Sequence, residues 1–147
     1  MIDFSKLTKK DLGKYFDYSV LPKDTTEEEI RQGCRTAIEY NCQAFCFSSS
    51  YWTPVVAEEL KGTDVLVGAA IGFPFGQQSS AVKAFETEEA VRMGATVLDN
   101  CMNVGALKDK KYDEILQEFK EYKEAAGPAI TKMIIETAFL TDEEIAT

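Results

Sequence analysis

The 147-residue sequence contains no histidine, one tryptophan and only four prolines. Without imidazole, a metal site would have to be built from cysteines and carboxylates alone, an uncommon ligand set for catalytic zinc. The cysteines, at positions 34, 42, 46 and 101, give one C-x3-C pair and no pair of C-x2-C clusters, so the spacing of a structural zinc site is missing too. Metal: none, is the expectation. No apolar run approaches the roughly 18 residues of a membrane span, and the start, MIDFSKLTKK, lacks the apolar stretch of a secretory signal. No membrane association and a cytoplasmic location are expected by default. Positive charge is also scarce: 25 acidic residues against 16 basic ones leave a net charge of −9, spread along the chain rather than gathered in a tail. That distribution serves solubility and argues against nucleic-acid binding.

What is present is a 45% hydrophobic, 28% charged chain able to bury a core, with no Pro-, Gly- or Ser-rich linker to divide it, so residues 1–147 are expected to form a single domain. Short β-prone apolar runs at 15–21, 43–48, 64–73, 96–103 and 129–137 alternate with helical segments, the pattern of parallel βα units. Their centres recur every 25–35 residues or so, enough for a strand, a helix and two loops. Thr26 and Glu29 form a T-x-x-E capping box before Ile30, Cys34 and Ile38, which share a helical face. Tyr112, Ile115, Leu116, Phe119 and Tyr122 give a second stripe, and Gly94 closes a helix over 80–93. The segment 51–60 is a weaker helix because Pro54 must sit near its first turn. Thr141 and Glu144 make another capping box, about one turn before the last residue. Five βα periods in this length extrapolate to ~240 residues for eight, near the ~250 of a (β/α)8 barrel. The expected fold is therefore α/β, with parallel βα units forming about five-eighths of a TIM (β/α)8 barrel, incomplete at the C-terminus.

Several segments, read in order, resemble the deoxyribose-phosphate aldolase family: Asp17-Tyr18-Ser19-Val20-Leu21-Pro22; Cys46 to Tyr51; Ile71-Gly72-Phe73-Pro74-Phe75-Gly76 with Val82-Lys83-Ala84-Phe85-Glu86; Leu98-Asp99 with Asn103-Val104-Gly105-Ala106-Leu107-Lys108; and Lys132-Met133-Ile134-Ile135-Glu136-Thr137 followed by Leu140-Thr141-Asp142-Glu143-Glu144. The likeness is collinear over nearly the whole chain. It departs at Tyr18, where a smaller polar residue is usual, at Ser48-Ser49, where Asn-Pro is common, and at Val97, where an acid is usual. The resemblance implies a class I aldolase that needs no cofactor. Such an enzyme cleaves 2-deoxyribose 5-phosphate, or a similar phosphosugar, to acetaldehyde and glyceraldehyde 3-phosphate through an enzyme-bound imine. It also implies that the imine-forming lysine lies on the sixth strand, a second lysine on the seventh, and the phosphate loops after the seventh and eighth. All fall past Thr147, so the chain alone is expected to be inactive.

A retro-aldol cleavage needs an amine, an electron sink and a proton relay. Asp99, in the apolar run 97–102, is an ionisable group that needs explaining. The resemblance makes it the catalytic acid–base; otherwise it is a structural carboxylate paired with a lysine. Asp17 extends the relay on the resemblance, or is a turn aspartate bonding nearby backbone N–H groups. Cys46 either lines the substrate pocket or, the favoured reading, is a small buried apolar residue. Lys132 precedes Met133-Ile134-Ile135, and burial there would lower its pKa toward a nucleophilic amine. Its place near the strand's start favours instead an interior ion pair with Asp99 or Glu136. Asn103 is a candidate for bonding a substrate hydroxyl, while Lys83 and Lys108 read as solvated charges. A different class of reading is a non-catalytic half-barrel whose open sheet edges drive homo-oligomerisation or partner binding.

Overall fold

The computed structural model describes residues 6–147. Its elements alternate: α1 (Lys9–Gly13), β1 (Asp17–Val20), α2 (Glu27–Glu39), β2 (Ala44–Phe47), α3 (Thr53–Glu59), β3 (Leu66–Ile71), α4 (Ser80–Arg92), β4 (Val97–Cys101), α5 (Val104–Lys108), α6 (Tyr112–Ala126), β5 (Ile130–Ile134) and α7 (Asp142–Ile145). The strands form one sheet in the order β1-β2-β3-β4-β5, every pair parallel. Sequential order with no reversal is the order of barrel staves; an open doubly wound sheet would double back. Each strand lies inside its expected segment but is shorter, because the flanking residues turn away. Gly72 takes φ +64° just after β3, and Glu136 takes φ +49°, stopping β5 well before Thr137.

The helices are set by local chemistry. Thr26 accepts from the Glu29 N–H while the Glu29 carboxylate accepts from the Thr26 N–H, so the box opening α2 is reciprocal as expected. Thr8 with Asp11 and Thr141 with Glu144 do the same for α1 and α7. A 3-10 turn, Ser50–Trp52, precedes α3, and Pro54 sits in the first turn of α3, where its missing N–H costs nothing. Two short helices, α1 and α5, went unforeseen because neither is long enough to show an apolar period.

Strand alternation divides the sheet into two faces. Phe45, Phe47, Val67, Ala69, Ile71 and Leu98 pack against Ile30, Cys34, Ala37, Val56, Ala90, Tyr122 and Ala126 of the helices, in the main core. The opposite face carries smaller or polar groups, among them Ala44, Cys46 and Val97, which form a separate cluster. Val97, the apolar replacement noted above, thus fills space beside Cys46.

The sheet is curled. Laid flat, β1 and β5 would be about 19 Å apart, four strand spacings, farther than a lysine and an aspartate side chain can bridge. Yet Lys132 of β5 is hydrogen-bonded to Asp17 of β1. The register agrees: carried straight across from Lys132 through Asp99 and Ala70, it reaches Ser48 and then Leu21. Asp17 precedes Leu21 by one residue for each strand boundary crossed, the stagger of an eight-stranded barrel of shear 8. Asp17, Gly68 and Lys132 therefore share one level of the concave interior, with Cys46 and Asp99 one level nearer the strands' C-terminal ends.

Candidate active site

Four of the five residues singled out from the sequence meet on this concave face. Asp99, the central residue of β4, is the direct register partner of Lys132 on β5. The Lys132 Nζ lies 3.0 Å from Asp99 Oδ1 and also donates to Asp17 Oδ2. The Cys46 thiol donates to Asp99 Oδ2 at 3.5 Å. Gly68 makes room for that thiol, since a Cβ there would sit 2.5 Å from Cys46 Sγ. The expected ion pair of Lys132 is thus formed with Asp99 and Asp17, and Glu136 has no part in it.

The surroundings of the amine act on it in opposite senses. Burial alone pushes the Lys132 ammonium down, but the hydrogen bonds to Asp17 and Asp99, together with their charges, outweigh it, and the net shift is upward. This reverses the lowered pKa expected from burial in an apolar strand, because that reading counted desolvation without the two carboxylates. Burial, then the charges of Asp99 and Asp17, pushes the Cys46 thiol up and keeps it protonated. Asp17, Cys46 and Asp99 bring donor atoms within 4.8 Å of one another, the one such group among the described residues. The Lys132 ammonium already occupies it, bonded to both carboxylates, so a metal cation would have to displace that side chain.

Asn103 stands apart. It lies past the end of β4, its Oδ1 accepts from the Ala106 N–H at 3.1 Å to cap α5, and its amide nitrogen keeps both donors. Lys108, read as solvated, is indeed surface-exposed, with Nζ 3.0 Å from Glu144 Oε2. Lys83, also read as solvated, is instead completely buried: its Nζ donates to Glu118 Oε1 at 2.8 Å and to the Cys101 carbonyl at 2.7 Å. Its cost of burial is offset by a carboxylate that one-dimensional periodicity cannot place opposite it. Tyr122, foreseen only as part of an apolar stripe, donates from its hydroxyl to the Leu98 carbonyl at 2.8 Å, beneath the Asp99–Lys132 pair on the helix side.

Burial also pushes Cys34 up to about 12 and Cys101 up to about 11. Each raised pKa means that the native chain holds protons the unfolded chain releases, so stability falls with rising pH. The loss should begin near pH 9, the ordinary thiol value, and continue above 10.5, where the unfolded chain's lysine discharges while native Lys132 keeps its proton. Urea midpoints measured at pH 7.5, 9 and 10.5 should decline in that order; a flat profile would contradict it.

Residues 12–147 match the family model described as DeoC/LacD family aldolase. Deoxyribose-phosphate aldolase 1 of Mesoplasma florum is 46% identical over 134 residues, which is 91% of this chain and 60% of that protein. The deoxyribose-phosphate aldolase of Clostridium tetani is 43% identical over 91% of this chain and 62% of its own length. The chain therefore spans about 60% of the curated relatives it matches. Among solved structures, a putative deoxyribose-phosphate aldolase from Coccidioides immitis superposes with a TM-score of 0.90 at 32% identity, covering 95% of this chain and 55% of that one. The deoxyribose phosphate aldolase of Aeropyrum pernix, whose structure is described as tetrameric, gives 0.80 at 26% identity, covering 95% and 58%. No helix among the described residues is long and apolar enough to cross a membrane. With its five parallel staves and this match, the chain belongs to the DeoC/LacD family of aldolases.

Proposed function

We propose that residues 1–147 carry the proton-relay half of a Schiff-base aldolase of the deoxyribose-phosphate aldolase type, acting on 2-deoxyribose 5-phosphate or a similar phosphosugar in the cytoplasm without a cofactor. The observation that carries this is the lysine held between two carboxylates, Asp17 and Asp99, inside the barrel. In the cleavage, an amine condenses with the substrate aldehyde and releases water. The C3 hydroxyl then gives up its proton as the C2–C3 bond breaks: C3 leaves as the aldehyde carbon of glyceraldehyde 3-phosphate, and the bond's electron pair passes into the iminium to form an enamine. Protonation at C2 and hydrolysis release acetaldehyde. Asp99, backed by the Lys132 ammonium, is the acid–base for these proton transfers, and Asp17 fixes Lys132. Cys46 walls the pocket, and the Asn103 amide donates to a substrate hydroxyl.

Lys132 is the one lysine borne on a strand among the described residues. Paired with both Asp17 and Asp99, it is held as an ammonium and is a poor nucleophile. The imine-forming amine is accordingly assigned to a later stave, as the resemblance implies. Borohydride trapping with acetaldehyde should leave this chain unmodified. Mixed with a segment supplying the last three staves of the M. florum relative, the adduct should appear on that segment. A stable adduct on Lys132 would overturn the assignment.

A second reading, self-association, is favoured by a groove of about 440 Å³ along the free side of β1, walled by Leu12, Phe16, Tyr18 and Tyr40. Light scattering on the same unmixed sample separates the two readings, since a strict monomer excludes the second.

A further inference from the structure

The β3–β4 ladder stops at the Ile71–Asn100 pair, whereas β4 continues beside β5 through Cys101. Met102 donates its N–H to the Ile134 carbonyl of β5, so by alternation the carbonyl of Cys101 faces the side that β3 has left. Two backbone groups are stranded at this fork, the Gly72 N–H and the Cys101 C=O, and buried backbone polar groups require partners. Both partners come from α4. Glu86 Oε2 accepts from the Gly72 N–H at 2.9 Å, and Lys83 Nζ donates to the Cys101 carbonyl at 2.7 Å. Lys83 and Glu86 are three residues apart and so share a helical face.

The lysine is anchored from a third direction. Glu118 of α6, itself 7% exposed, accepts from it at 2.8 Å, and Asn100 Nδ2 reaches the same carboxylate oxygen at 3.4 Å. The space is tight: a Cβ on Gly72 would come 3.0 Å from Lys83 Cε. One fully buried ammonium thus joins α4, α6 and the end of β4, two residues from Asp99 and on the strand that aims Asp99 at Lys132.

We propose that Lys83, held by Glu118, is a positioning residue: by closing the β3–β4 fork at the Cys101 carbonyl, it sets the place of Asp99 opposite Lys132. The pairing energy with Glu118 and the positioning contact with Cys101 are separable. Glu118→Gln weakens the ion pair yet leaves Lys83 able to reach the carbonyl. The double variant Lys83→Met with Glu118→Leu removes both charges, keeps an apolar fill, and abolishes the contact.

The reporter is Lys132, whose neutral fraction depends on Asp17 and Asp99 and whose acetylation rate at pH 8 can be read on its own peptide by mass spectrometry. This readout is independent of any aldolase activity. The double variant should acetylate Lys132 about tenfold faster than the parent, because the Asp99 contact that helps hold the ammonium charged is loosened. Glu118→Gln should leave the rate unchanged while lowering Tm at least as much. An unchanged rate in a folded double variant overturns the proposal. So does a rate that rises in both variants in step with their loss of Tm, since Lys83 would then be supporting the fold alone.

Discussion

Lys83→Met is expected to lower the free energy of unfolding by about 3–5 kcal/mol, because it leaves the Glu118 carboxylate buried without its counter-charge. The geometry is unfavourable to any escape: Lys83 is fully buried, Glu118 nearly so, and among the described residues Asn100 is the one other donor on that carboxylate. The Cys101 carbonyl loses its donor in the same stroke, and an unmatched buried acceptor costs ~1–3 kcal/mol. Adding Glu118→Leu should recover most of the loss, since a buried pair replaced by apolar groups of similar volume is often neutral. Urea denaturation of the parent, the single and the double variant measures both quantities. A single variant within about 1 kcal/mol of the parent, the usual size of a surface effect, would show that the pair is solvated in solution.

The same helix shows why part of the molecule was legible in the sequence and part was not. Strand positions, capping boxes and the parallel order follow from short-range patterns, and these read correctly. The face of α4 does not: Val82 and Phe85 look like core yet are 52% and 69% exposed, while Lys83, Thr87 and Ala90, spaced i, i+4, i+7, are buried. Lys83, with Glu86 beside it, faces inward because the fork between β3 and β4 presents unpaired backbone to α4, while Thr87 donates to the Lys83 carbonyl of its own helix. Nothing local to α4 announces that fork. On α6 the buried stripe is Ile115, Glu118, Tyr122 and Ala126 rather than the one with Tyr112 and Leu116, which are 43% and 51% exposed. The rotation follows from Glu118 having to meet Lys83 and Tyr122 having to reach the Leu98 carbonyl. The residues of the cluster stand out in the sequence where an ionisable group interrupts an apolar strand, as Asp99 and Lys132 do. Their partnership with Asp17 depends on curvature, which relates residues 115 positions apart.

Asp99→Asn should separate the two carboxylates that look alike in the cluster. Asparagine preserves shape and can still face Lys132, but it neither holds a negative charge nor takes up a proton. If Asp99 is the acid–base, retro-aldol turnover of 2-deoxyribose 5-phosphate by the chain joined to the remaining staves should drop about 10²–10⁴-fold, the usual contribution of such a group. That corresponds to roughly 3–5 kcal/mol at the transition state. The side-chain acceptors left to Lys132 would be Asp17 and the neutral amide, so its pKa should fall and its acetylation at pH 8 should quicken. Asp17→Asn shares this second effect, because Asp17 also holds the ammonium, but it should spare more of the turnover, since Asp17 lies one level deeper in the barrel, bonded to Lys132. Equal losses for the two variants would assign the chemistry to the carboxylate pair as a unit, and turnover in Asp99→Asn within a few-fold of the parent would remove Asp99 from the proton relay altogether.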